Sequence, residues 1–255
     1  ICNNLLLRKL SMFSNTRYFL RKLDTLISGS FFYSQSRFTE LLKDYYHSLK
    51  NRISPTVNFK IIKDRVEIDK FEINEKDLIF RSDFSKMIDY EKIPDFVEKI
   101  INLNKTKIEK FLGKNFLVTK CKFYRTFRFD KWLSKHDIIS NIWHQDSHDG
   151  YKMINIFVLV SNIKKEDGPF IFLDRNNTKK YWNLIGERWT FDKTNADKSF
   201  QEEINFVGDK GEYILINTSN CLHRASIPNS KRDMIQVTLY PSWRKKNNRE
   251  VFSTN

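Results

Sequence analysis

The stretch "KMINIFVLVSNIKKEDGPFIFL", residues 152–173, contains two short runs of β-branched and aromatic residues on either side of a polar segment. The segment "KEDGP" between the runs is a typical turn signal, because Gly and Pro both disfavour continuation of a regular strand. Apolar runs of this length, bounded by such signals, are typical of buried β-strands. The stretch therefore predicts two consecutive strands joined by a short turn.

Similar runs surround this stretch. They are "NFLVTKCKFYRTFRF" at 115–129, "EYILINTS" at 212–219 and "MIQVTLYPSW" at 234–243. No helical periodicity separates most of them, and several short strands in succession favour a sandwich or a barrel. We therefore expect a β-barrel core over residues 115–245, with an insert at about 174–206.

The residues before the barrel have a helical pattern. Apolar residues recur every three or four positions in 3–28 and 36–51, and the segment 93–113 has Pro near its first turn and Gly113 at its end. We expect residues 1–114 to form a mainly helical flank that packs outside the barrel, and residues 246–255 to form a polar tail. With 255 residues and no linker or repeat, the chain predicts one α+β domain.

The composition leaves several partner classes open. The formal charge is +14, which by itself suggests nucleic acid or an anionic membrane, but the lysines are scattered among many Ile and Asn residues, as codon bias in a low-GC genome would produce. Three isolated cysteines favour a reducing compartment, and the apolar stretches are shorter than the ~18 residues of a membrane span. We expect a cytoplasmic protein without a transmembrane segment; the oligomeric state is left open.

A candidate metal site lies in "WHQDSHD", residues 143–149. His144 and Asp146 are two positions apart, so in an extended segment both side chains leave the same face. His223 follows the strand run at 212–219 and can supply a third ligand. Two His and one carboxylate suit Fe(II) and leave coordination positions open. His148 is an alternative to His144, because it also lies two positions from Asp146.

An arginine lies close to this candidate site along the chain. Arg232 follows His223 by nine residues and opens the strand "RDMIQVTLYPSW", residues 232–243, after the turn segment "IPNSK". A hairpin of this length returns the arginine to the neighbourhood of His223. A guanidinium there can hold the far end of a dicarboxylate through two parallel hydrogen bonds.

These residues together resemble the phytanoyl-CoA dioxygenase-like branch of the Fe(II)/2-oxoglutarate-dependent oxygenases. The resemblance covers residues 120–243 through "WHQDSHD", "KMINIFVLVSNIKKEDGPFIFL", "GDKGEYILINTSNCLHR" and the strand that begins near Arg232. It implies a double-stranded β-helix, which is a jelly-roll or cupin-like barrel with helices outside. This agrees with the order of helices and strands expected from the residue patterns.

The resemblance also implies the site chemistry. His144, Asp146 and His223 would bind Fe(II), and Arg232 would pair with the 5-carboxylate of 2-oxoglutarate. The cosubstrates would be 2-oxoglutarate and O2, with release of succinate and CO2. Related halogenases replace the carboxylate ligand with a small residue, so Asp146 favours hydroxylation. Phe157 would form a wall beside the oxo acid, or would be an ordinary core phenylalanine.

The substrate is less defined. Aromatic and basic residues in the insert, among them Trp182 and Lys180, could bind a small or medium-sized organic molecule with an anionic group. Alternatively, the insert is a surface loop with a few aromatic residues that anchor it. A nucleic-acid-directed oxygenase is a second function class, but the related demethylases carry an arginine six residues after the cosubstrate arginine, where this chain has Thr238. A catalytically inert binding barrel is the third class.

Overall fold

The computed structural model describes residues 42–51, 53, 59–68, 71–82, 84–129, 139–146, 152–181 and 199–244. The chain divides into two compact units, residues 1–43 and 44–255, and every described strand belongs to the second. The predicted helix at 3–28, the polar tail at 246–255 and His148 lie outside the described residues. None of the helices in the described part has the length and apolar character required to cross a bilayer.

Within the described residues, ten strands form two antiparallel sheets. The strands are β1 Ile62–Arg65, β2 Ile79–Ser82, β3 Ser85–Asp89, β4 Leu117–Phe127, β5 Ile154–Leu159, β6 Phe170–Phe172, β7 Ile204–Phe206, β8 Glu212–Ile216, β9 His223–Ala225 and β10 Lys231–Tyr240. The large sheet has the order β1-β8-β5-β10-β4-β3-β2, and the small sheet has the order β7-β6-β9. His144 extends the small sheet as an isolated antiparallel bridge to His223.

From β4 to β10 the chain crosses between the two sheets at every connection except the one from β6 to β7, as it does in a jelly roll. The order β8-β5-β10-β4 forms the core of the large sheet, and β7-β6-β9 with the segment at His144 forms the facing sheet. Eight segments thus wind into two four-stranded layers. The predicted double-stranded β-helix is confirmed by this strand order.

Strand β5 shows why the apolar run in the sequence becomes a central strand. All six of its residues are buried. Successive side chains of a strand point to opposite faces of the sheet, so they contribute to two different cores. Ile154, Ile156 and Val158 face the outer core, whereas Phe157 and Leu159 face the space between the two sheets. The strand is therefore apolar on both faces, apart from Asn155.

The outer core is covered by a long helix. Of the helices described, α1 spans residues 42–50, α2 spans Asp95–Leu112 and α3 spans Arg175–Lys180. Helix α2 turns Val97, Ile100 and Ile108 toward the outer face of the large sheet. It ends at Gly113, where φ is +93° and an added Cβ would lie 2.6 Å from Ile53 Cδ1. The predicted end of this helix at Gly113 is confirmed.

The prediction of a mainly helical segment before residue 114 is wrong for residues 62–89, which contain β1, β2 and β3. These strands lie at the two ends of the large sheet, where β1 pairs with β8 and β3 pairs with β4. Three of the four residues of β1 and of β2 are exposed. Edge strands bury little apolar surface, so their sequences lack the apolar run that marks a central strand.

Candidate metal site and adjoining cavity

His144 and His223 are held side by side by their own backbones. Each residue donates its N–H to the carbonyl oxygen of the other, at 3.0 Å in both directions. The two residues are therefore directly opposite in an antiparallel pair, which places side chains on the same face. The ring centroids lie 4.2 Å apart. The fold thus brings together two histidines that are 79 positions apart in the sequence.

Asp146 completes a three-residue cluster. Its backbone N–H donates to Thr218 O at 3.1 Å, which fixes the segment two residues after His144. Its Oδ1 lies 3.7 Å from His144 Nε2, and its Oδ2 lies 3.6 Å from His223 Nε2. One ligand atom from each of the three residues lies within 4.8 Å of the others. This separation fits one metal ion among the three groups.

Both imidazoles are oriented by main-chain oxygens. Nδ1 of His144 lies 2.7 Å from Ile142 O, and Nδ1 of His223 lies 3.0 Å from Cys221 O. A proton on Nδ1 satisfies these carbonyls and leaves the lone pair of each Nε2 toward Asp146. Both Nε2 atoms could therefore hold a metal ion together with Asp146.

The protonation states of the cluster suit a cation. Burial lowers the pKa of His223 to about 4, with repulsion from His144 acting in the same direction, so its imidazole is neutral at neutral pH. Burial alone would raise the pKa of Asp146, but the imidazoles of His223 and His144 and a hydrogen bond from Thr218 lower it. The neutral imidazole and the ionised carboxylate are the forms that bind metal.

A buried polar network holds Asp146 in place. Asn155 donates to Asp146 Oδ2 at 3.1 Å and to Thr218 Oγ1 at 2.7 Å, and accepts from Thr238 Oγ1 at 2.7 Å. Ser219 Oγ donates to the backbone oxygen of Asp146 at 2.7 Å. The sequence prediction missed these residues. The available signal was Asn155 itself, a polar residue inside an otherwise apolar strand.

A cavity of about 290 Å³ opens beside the cluster. Its walls include all three cluster residues, together with Arg232, Phe157, Phe170, Tyr124, Lys120 and Gln236. The structure therefore places all the sequence-predicted site residues that it describes around one space. Lys120 was not predicted; it projects inward from β4 and donates to Gln236 Oε1 at 3.1 Å.

Arg232 is a buried cation in the wall of this cavity. Its guanidinium donates to Gly168 O, to Ser226 O at 3.3 Å and to Thr126 Oγ1 at 3.4 Å. Within the described part of the chain no carboxylate pairs with it. Burial lowers its pKa to about 10, so the group remains charged at neutral pH. A buried charge of this kind is stabilised when an anion occupies the space beside it.

The turn that contacts Arg232 requires glycine. Gly168 has φ +70°, and an added Cβ would lie 2.4 Å from the backbone N of Pro228. The turn between β5 and β6 therefore packs directly on the loop before β10. This close packing brings the Gly168 carbonyl to the guanidinium of Arg232.

Phe157 serves as both core and wall. It is 7% exposed and packs in the core between the sheets, and its ring lies 4.4 Å from that of Phe170. The ring of Phe170 lies 5.5 Å from that of His223. The two roles expected for Phe157, a wall beside the oxo acid and an ordinary core phenylalanine, are therefore compatible with each other.

Two other basic residues, Arg224 and Lys180, lie away from the cluster. Arg224 packs over the ring of Trp143 at 5.2 Å, on the opposite side of its strand from His223. Lys180 pairs with Glu202 at 2.8 Å on the surface. Trp182 and most of the insert, residues 182–198, lie outside the described residues.

No protein-family model and no curated protein matches the chain. Solved structures match it in fold. The epimerase SnoN, in complex with Fe3+, alpha ketoglutarate and nogalamycin RO, is 9% identical, with a TM-score of 0.44 over 71% of this chain and 72% of SnoN. HygX from Streptomyces hygroscopicus, with nickel, 2-oxoglutarate and hygromycin B bound, is 12% identical, with a TM-score of 0.40 over 80% of this chain and 79% of HygX.

The non-heme monooxygenase ThoJ is 16% identical, with a TM-score of 0.38 over 53% of this chain and 50% of ThoJ. The chain thus spans about half the length of that protein. These likenesses concern the fold alone. The strand order, rather than these scores, identifies the fold of the chain as a double-stranded β-helix.

Proposed function

We propose that the protein is an Fe(II)- and 2-oxoglutarate-dependent oxygenase that hydroxylates a small or medium-sized organic substrate, with release of succinate and CO2. The observation that carries the proposal is a single cavity that contains both a His144–Asp146–His223 cluster and a buried arginine. The cluster supplies ligands for a metal. The arginine supplies a partner for the distal carboxylate of the oxo acid.

The donor set fits Fe(II). Two imidazoles and one carboxylate on one face are the ligands that non-heme iron oxygenases use, with open positions for a cosubstrate and O2. Iron bound there would supply the activation of O2 that the reaction needs. The chain itself keeps His223 neutral, holds the Asp146 carboxylate through Asn155 and Thr218, and surrounds the centre with apolar rings.

The oxo acid would lie between the cluster and Arg232. Its 5-carboxylate would accept hydrogen bonds from the guanidinium, which has no acidic partner in the described residues. Phe157 and Phe170 would pack against its carbon chain and exclude water. This arrangement gives Arg232 a role that the fold alone does not require.

The substrate would approach the cluster near Lys120. This lysine lies close enough for its charge to affect Asp146, and it faces the cavity. A cation in that place favours a substrate with an anionic group. We place the enzyme in the cytoplasm, since Cys121 and Cys221 are buried free thiols of the kind kept in reducing compartments.

The test is anaerobic Fe(II) titration followed by a 2-oxoglutarate turnover assay. We expect the wild-type protein to bind one Fe(II) and to convert 2-oxoglutarate to succinate, with faster turnover when a screen of carboxylated or phosphorylated metabolites includes the substrate. His144→Ala and His223→Ala should abolish both activities. His47→Ala is the matched control, because His47 stacks on Trp243 and does not line the cavity.

Three results would contradict the proposal. Fe(II) binding and turnover that survive in His144→Ala and His223→Ala would show that these residues do not hold the metal. Salt-sensitive nucleic-acid binding together with oxidation of a nucleobase would support the nucleic-acid-directed class instead. A protein with no metal-dependent activity in any assay would be an inert barrel.

A further inference from the structure

The hydroxyl of Ser85 has no hydrogen-bond partner in the described part of the chain, although the residue is buried. Ser85 opens β3, is 3% exposed and forms part of the cavity wall. Its Oγ is an unsatisfied buried atom, and among the described residues no other residue of the cavity wall has one. A buried hydroxyl without a partner is unfavourable, and one in a cavity wall can be satisfied by a ligand that enters the cavity.

The strand register places this hydroxyl beside Arg232. Ser85 pairs with Thr126 across β3 and β4, and Thr126 pairs with Arg232 across β4 and β10. The three residues form one rung of the large sheet, and all three line the cavity. Directly opposed side chains on one face are within reach of a common ligand. Thr126 Oγ1 already accepts a hydrogen bond from the guanidinium at 3.4 Å.

This end of the cavity is positively charged. Arg232 is buried without a carboxylate partner in the described part of the chain, and Arg81 lies over the ring of Tyr124 at 4.9 Å. Tyr124 is two positions from Thr126 on the same face of β4 and also lines the cavity. Two cations and two hydroxyls at one end of a cavity match a carboxylate, which accepts several hydrogen bonds.

We infer that Ser85 is a cosubstrate-binding residue, whose hydroxyl donates a hydrogen bond to the distal carboxylate of 2-oxoglutarate beside Thr126 and Arg232. The inference rests on the proposed function and adds a specificity-determining contact to it. A rotation about χ1 moves a serine hydroxyl among three staggered positions, so the side chain can turn toward a ligand without backbone movement. The rung selects a 2-oxo acid with an anionic group at its far end.

The experiment compares two oxo acids and two serine variants. 2-Oxopentanoate has the chain length of 2-oxoglutarate but lacks the distal carboxylate. Both are titrated calorimetrically into anaerobic, Fe(II)-loaded wild-type protein, Ser85→Ala and Ser82→Ala. Ser82 is the matched control, because it pairs with Ser85 across β2 and β3 and its Oγ also has no partner, yet it does not line the cavity.

We expect Ser85→Ala to weaken 2-oxoglutarate binding by about 10- to 100-fold, the loss of one hydrogen bond to a charged group. Binding of 2-oxopentanoate should stay unchanged, because that ligand has no distal carboxylate to accept a hydrogen bond from the Ser85 hydroxyl. Ser82→Ala should leave both affinities unchanged. Ser85→Ala should melt no lower than wild type, because the substitution removes an unsatisfied polar atom.

The inference would be overturned if Ser85→Ala bound 2-oxoglutarate as tightly as the wild-type protein does. It would also be overturned if Ser85→Ala lost the same affinity for both oxo acids. His144→Ala and Arg232→Met in the same titrations separate this outcome from failure of the proposed function. If 2-oxoglutarate binding survives both of those substitutions, the proposed function fails. If binding requires both residues but is indifferent to Ser85, only the role of Ser85 fails.

Discussion

The side-chain amide of Asn155 donates a hydrogen bond to Oδ2 of Asp146, with 3.1 Å between the two atoms. Asn155 is fully buried on β5, so its own position is fixed by the two neighbouring strands. The amide oxygen accepts from Thr238 on β10, which fixes the plane of the amide. The carboxylate of Asp146 is thus oriented by the rigid sheet rather than by the loop that carries it.

We expect Asn155→Ala to lower Fe(II) affinity by about 10- to 100-fold, because the freed carboxylate must be ordered when metal binds. Anaerobic Fe(II) titration measures the change. Asn104→Ala is the control: Asn104 is a buried asparagine on α2 that donates to Tyr213 Oη at 3.1 Å, far along the chain from His144, Asp146 and His223. It should lower stability without changing Fe(II) affinity. Equal Fe(II) affinities for Asn155→Ala and wild type would refute the positioning role.

The two arginines near His223 should differ in their effect on cosubstrate binding. Removal of a charged, bidentate contact to a carboxylate costs roughly 2 to 5 kcal/mol, a factor of about 30 to several thousand in affinity. Arg232→Ala should therefore raise the dissociation constant for 2-oxoglutarate by at least that lower factor. Arg224→Ala should have little effect, because that side chain packs over Trp143. Titration of 2-oxoglutarate into iron-loaded protein measures both dissociation constants. Equal losses of affinity in Arg232→Ala and Arg224→Ala would contradict the assignment of Arg232 as the partner of the 5-carboxylate.

The central strands could be predicted from the sequence because they are buried on both faces. β5 is apolar apart from Asn155, and β10 is apolar from Met234 to Leu239 apart from Gln236 and Thr238. The burial of both strands is what the jelly roll requires in the middle of its large sheet. β1 could not be predicted in the same way. Its residues are Ile-Lys-Asp-Arg, and only its pairing with β8 makes it a strand.

The site could be predicted only in part, for a related reason. His144 and Asp146 are neighbours in the sequence, so their convergence follows from strand geometry. Their meeting with His223 depends on a backbone pair that the fold supplies. Ser85 lay in a region expected to be helical, so the rung that joins it to Arg232 became visible only through the register of β3 and β4. Contacts across strands from distant segments leave no local pattern.

The stability of the protein should depend on pH through Lys152. This lysine is fully buried, donates to Phe111 O at 3.0 Å near the end of α2, and lies 4.6 Å from the Phe111 ring. Burial lowers its pKa to about 8, with partial opposition from Asp44. Between pH 8 and the ordinary lysine pKa the unfolded chain binds more protons than the folded chain. The free energy of unfolding should therefore rise with pH across that window.

The expected rise is at most about 3 kcal/mol, and below pH 8 the effect should level off. Urea unfolding of wild type and Lys152→Met at several pH values measures it. The methionine keeps an unbranched apolar chain but has no titrating group, so its stability should lack the rise. Lys114→Met, which replaces an exposed lysine, is the control and should show the same rise in stability with pH as wild type. A rise of the same size in Lys152→Met would assign the pH dependence to another group.

A buried ion pair should contribute far more to stability than a surface pair of similar length. Asp44 on α1 is fully buried and accepts from Arg244 Nε at 2.9 Å and from Arg244 Nη2 at 2.7 Å, and Trp243 Nε1 donates to the same carboxylate at 3.0 Å. Asp44→Ala leaves the buried guanidinium without this carboxylate. We expect a loss of about 3 to 5 kcal/mol in the free energy of unfolding.

The surface pair Lys63–Glu212 is the comparison. Its atoms lie 2.8 Å apart, but the lysine side chain is 53% exposed, so Lys63→Met should cost less than about 1 kcal/mol. The double substitution Asp44→Leu with Arg244→Met should recover most of the loss seen in Asp44→Ala, because it removes both charges together. Urea unfolding of the four proteins measures these differences. A loss in Asp44→Ala no larger than that in Lys63→Met would show that burial adds nothing to the contribution of the Asp44–Arg244 pair.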